Sequence, residues 1–273
     1  MGLETQNRML FKELNKIIAT IEFYDNKEGW RAFVEEVLKQ DIPKLENLRS
    51  YPFDNRHNRQ VQWTKMAIGA GWYSRLIKPL PVVIEIMGAV IEEKEGPAHA
   101  RATLAGALAY LVQENEIIPN QTGGGYGTLD DALIIYYTYY KYLQDMAGRI
   151  PEIRSTMNNY CRELEAVIHT GLRVFPSSVL EELKRVLSNI ASGFYHFPEA
   201  PTYLLEQVIE QVILNPRQNA IGQILARLAY RLDVNFKSSY SGYRQDAVLT
   251  KLEAMIAEAG CSPGELTSEG YYY

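Results

Sequence analysis

The chain is poor in the residues that most often announce chemistry. It has two cysteines, Cys161 and Cys261, and four histidines, His57, His99, His169 and His196. One thiol in a helical pattern and one near the C-terminus do not make a disulfide framework. So few imidazoles argue against a histidine-rich metal site. Glu165 and His169 stand four apart, not at the three-residue spacing of carboxylate-bridged di-iron bundles, and no second copy follows. There is no Walker loop, dinucleotide fingerprint, zinc-ligand spacing or Gly-x-Ser-x-Gly elbow. No Lys or Arg falls between Arg101 and Lys141. No apolar run approaches the ~20 residues that a membrane-spanning helix needs. The start, MGLETQNRMLFKEL, lacks a basic segment followed by a secretory apolar run. Gln6 stands where a myristoylation signal wants Ser or Thr. A net charge of −5 and a pI near 5.5 remove any general attraction to nucleic acid. The expectation left by these absences is a cytoplasmic globular protein.

What is present is helical. Apolar residues make up 47% of the 273 positions and charged residues 22%, a globular balance able to bury a substantial core. Their spacing is that of helices, and no stretch reads as a strand. Leu10, Leu14, Ile17, Ile18 and Ile21 line one side of a first helix over 4–23. Trp30, Phe33, Val34 and Leu38 do so for a second, capped by Asp25 or Asn26. A helix from about Val61 contains Gly69 and Gly71, which suggest close approach of a neighbour. Pro79 and Pro81 end it. LPVVIEIMGAVIEE follows as a strongly apolar helix whose one charge before Glu92 is Glu85, a candidate for a perturbed acid. Arg56, His57 and Arg59 form the most basic local patch, on a polar segment over 50–60 that suits solvent or a small anion.

The most distinctive stretch is ALAYLVQENEIIPNQTGGGYGTLDDALIIYYTYYKYL, from Ala107 to Leu143. Pro97 suits the first turn of its first arm, and Pro119 prevents that arm from continuing. Gly123, Gly124, Gly125 and Gly127 give a turn free of Cβ restrictions. Thr128 and Asp131 have the spacing of a capping pair, with Asp130 and Asp131 at the positive end of the next helix dipole. That helix is apolar almost all round, so it belongs inside a bundle. The segment YLVQENEIIPNQTGGGYGTLDDALII resembles the core of the DUF1232 (YkvA-like) family of unknown function. That pattern is an apolar helix, a D-x-I-P-D turn, a short Gly-containing loop and D-D before another apolar helix. Pro119, Asp130 and Asp131 match, while Glu116 and Asn120 stand where the turn's two aspartates are expected. The resemblance covers residues 97–145 and implies a helical hairpin without implying an activity.

The fold class expected is all-α, a multi-helix bundle of about nine to eleven helices around this central apolar hairpin. Residues 1–148 form an N-terminal helical region and 149–262 a C-terminal one packed on it, from Pro151 through helices near 176–193, 201–214 and 244–259. Residues 263–273 form a mobile tail. The turn admits three readings. Asp130 and Asp131 cap a helix while Glu116 and Asn120 tie the loop; or Glu116, Asn120, Asp130 and Asp131 offer oxygen ligands to a hard cation; or the Gly-rich loop receives a phosphate, against which the two aspartates argue by like charge. Nineteen tyrosines suit contact surfaces, since each ring carries a polar tip. The leading expectation is therefore a non-enzymatic adaptor, assembly or regulatory protein. It would have a protein partner or form a homo-oligomer, with Tyr126, Tyr136, Tyr137 and Tyr140 at the contact. No cofactor and no catalytic residue is expected. The alternatives are a metal-dependent enzyme or cation-binding protein using the turn's acids, and peripheral membrane contact through the hairpin.

Overall fold

The structure is a computed structural model. It describes residues 8–24, 27–39, 62, 65–67, 69–71, 73–113, 117–119, 123–172, 175, 177–187, 190 and 202–217. Among them are eight α-helices and no strand: α1 (Met9–Tyr24), α2 (Lys27–Lys39), α3 (Leu80–Glu92), α4 (Ala98–Tyr110), α5 (Leu129–Arg149), α6 (Arg154–Leu172), α7 (Ser177–Leu187) and α8 (Thr202–Leu214). The basic patch, the caps Asp25 and Asn26, Cys261, the helix expected near 244–259 and the tail lie outside the described residues. Among the described residues no helix is long and apolar enough to cross a membrane.

The core gathers on α4 and α5. All thirteen residues of α4 are buried. Its alanines and Gly106 keep it slim, so α3, α5 and α8 all pack against it. Pro97 supplies the extended residue before its first turn, and Gly96, at φ +75°, turns the chain there. In α5, 14 of 21 residues are buried, and its most extensive neighbour is α6. A Cβ at Gly171 of α6 would come within 2.5 Å of Leu133 Cδ2, so hydrogen is what fits at that crossing. The expected break at Gly148 falls one residue early. The helix runs to Arg149, and Pro151 opens a 3₁₀ turn, Pro151–Ile153, before α6. Arg154 Nε donates to the Ala147 carbonyl at 3.1 Å across this joint.

Two features differ from the sequence expectation. The segment before Pro79 ends in a π-helical turn, Tyr73–Ile77, closed by Lys78 N–H donating to the Tyr73 carbonyl at 3.0 Å. The wider turn needs help from outside itself: Tyr136 Oη donates to the Leu76 carbonyl at 3.0 Å. Of the two glycines before it, Gly69 does meet a neighbour, with Val37 side-chain carbons 3.3 Å from a Cβ position, while Gly71 has open space. The second difference is α3. It buries Leu80, Ile84, Met87, Val90 and Ile91, yet exposes Val82 (56%) and Ile86 (40%). Ala89 and Glu85 are also exposed, so Glu85 is a surface acid and not one held in an apolar pocket.

Candidate functional site

The Gly-rich turn folds as a 3₁₀ segment, Gly123–Thr128, packed against α2. Gly125 takes φ +87°, open to glycine and costly for other residues. Tyr126 lies buried with its ring centroid 6.0 Å from that of Phe33. Thr128 does precede the helix, but the expected capping bond is not made. Its Oγ1 donates backward to the Gly125 carbonyl at 2.6 Å. The bend at Gly125 has turned an acceptor toward the hydroxyl proton, and in this orientation the oxygen accepts from none of the helix N–H groups.

Asp130 and Asp131 sit in the first turn of α5, both fully buried. Asp130 Oδ2 accepts from Ile118 N–H at 3.2 Å and, at the long limit of a hydrogen bond, from Tyr110 Oη at 3.5 Å. Tyr110 Oη in turn accepts from Ile117 N–H at 3.3 Å. One carboxylate thus ties the loop after α4, the end of α4 and the start of α5. Its charge is favoured by the helix dipole and by main-chain N–H donation. The field around the turn is negative. Burial pushes the Tyr126 hydroxyl well above its usual range, and the charges of Glu36 and Asp130 push it further. An incoming phosphate would meet those charges.

Glu116 and Asn120 lie outside the described residues, and the two candidate ligands that are described, Asp130 and Asp131, are neighbours in the first turn of α5. Among the described residues no three His, Cys, Asp or Glu side chains are grouped to hold a metal ion.

The expected tyrosine contact surface is corrected by burial. Tyr126, Tyr136, Tyr137 and Tyr140 are at most 4% exposed and belong to the core. Tyr137 and Tyr140 lie 6.1 Å apart in a tilted pair. The Tyr140 hydroxyl accepts from Gln144 Nε2 at 2.6 Å, and Gln144 Oε1 from Lys141 Nζ at 3.0 Å. Burial raises the Tyr136, Tyr137 and Tyr140 hydroxyls far above the ordinary tyrosine range. These rings fill space, and the hydroxyls of Tyr136 and Tyr140 hydrogen-bond within the chain. The described apolar residues of α4 and α5 likewise pack into the core against other helices.

A second polar cluster went unread in the sequence. Arg101, 5% exposed at its side chain, pairs with Glu206 of α8 through Nη2 and also through Nη1 at 3.3 Å. Its Nε donates to the Gly96 carbonyl at 3.3 Å. Nearby, His99 Nε2 lies 3.6 Å from Asp145 Oδ2, which also accepts from Arg149 Nε at 3.0 Å. Arg101 as the lone full charge on an alanine-rich helix was the available signal, because a buried guanidinium requires a partner.

Comparison of the chain with family models, with curated proteins and with solved structures yields no match.

Proposed function

We propose that this chain is a non-enzymatic helical protein that works through protein contacts, as an adaptor, assembly component or regulator. The observation that carries this reading is the outer face of α3. A helix apolar on nearly every side belongs under cover, yet Val82, Ile86 and Ala89 stand exposed along successive turns. The acids of the Gly-rich turn support it from the other direction, since Asp130 is engaged in tying three segments of its own chain. In this reading the α4–α5 hairpin, with its likeness to the DUF1232 (YkvA-like) pattern, organises a bundle of about nine to eleven helices in the cytoplasm. Light scattering on the eluting protein, with a pull-down alongside, tests it. A monomer at every concentration that captures no protein would overturn it.

A second reading is favoured by the complete burial of two adjacent carboxylates, Asp130 and Asp131. Buried charge of one sign is costly, and a hard cation taking Asp130, Asp131, Glu116 and Asn120 would offset it. Calcium, magnesium or manganese should then raise the melting temperature, and Asp130→Asn should abolish the rise. An unchanged melting temperature with all three ions removes this reading.

A further inference from the structure

We draw no further inference here: the strongest candidate, the exposed apolar face of α3 formed by Val82, Ile86 and Ala89, belongs to the contact reading already described, and nothing in the structure shows what covers it.

Discussion

Helices α3 and α5 read alike as sequence, each apolar on almost every side, and the fold treats them differently. α5 is enclosed by α4, α6, α3, α7 and the π-helical turn, and the hydroxyls of Tyr136 and Tyr140 find partners within the chain. α3 is covered on one side and leaves Val82 and Ile86 in solvent. The contrast separates two uses of apolar sequence. Where a helix also carries polar tips with internal acceptors, as Tyr136 has in the Leu76 carbonyl, enclosure is self-consistent. Where the outward residues are plain aliphatics, nothing in the described chain satisfies them, and cover from another molecule is the economical solution.

The strongest way to break the contrast is alkali. The hydroxyls of Tyr126, Tyr136 and Tyr137 are held above the ordinary value of 10.0, and burial is the chief cause for each. That of Tyr142 is pushed up to about 12, by burial and then by Glu95. A raised value in the fold means the folded chain holds protons that the unfolded chain has released. The contribution is complete below pH 10 and is lost as the pH rises toward the folded values. Tyrosinate absorbance followed with circular dichroism should show these rings ionising together with unfolding. A smooth titration at the ordinary value with the helices intact would refute their enclosure.

Next in size is Tyr137→Ala, which should cost about 3–5 kcal/mol by emptying a large buried volume, whereas Val82→Ala on exposed α3 should stay within ~0.5 kcal/mol. Urea unfolding of both variants measures the difference directly, and equal losses would erase the distinction between the helices. Gly171→Ala forces a methyl within 2.5 Å of Leu133 Cδ2 and should destabilise by about 1–3 kcal/mol. A neutral result would mean that α6 can back away from α5 at no cost.

The smallest effect concerns the polar link between α4 and α8. The Arg101 hydrogen bond holds the Glu206 carboxyl below its ordinary 4.5, outweighing partial burial. A lowered value contributes stability that is complete above that range and is lost as the pH falls through it to the value held in the fold. Glu206→Gln should therefore lower the melting temperature at neutral pH and leave a shallower acid limb than the parent chain. Parallel acid limbs would show that the pair contributes nothing.

How much of this was legible beforehand depended on whether the signal was local. Helix limits at Pro97, Pro151 and Leu214 followed from ring geometry and spacing, and α3 to α6 and α8 fall close to where periodicity sets them. The inward side chains of α1 and α2 were equally readable, because one stripe of each is apolar and the other charged. The burial of α5 was readable too. Giving Tyr136, Tyr137 and Tyr140 to a contact surface was at odds with it, since a helix apolar all round has a period without a phase and singles out no outer face. Thr128 was misjudged because the carbonyl that orients its hydroxyl, that of Gly125, is in place only after Gly125 bends. The π-helical turn was invisible for a similar reason, as the group that satisfies Leu76 sits 60 residues further on. Tyr110 gave no sign of serving Asp130 until the loop at Ile117 and Ile118 brought them together.

The partner of Arg101 lies 105 residues downstream, and this imposes an order on biosynthesis. At ribosomal speeds of ~5–20 residues per second, α4 emerges some 5–20 s before α8. For that interval its guanidinium lacks its carboxylate and the flank it will share with α8 is uncovered. A nascent chain halted before Thr202 should be a far better client for holding chaperones than one halted after Arg217.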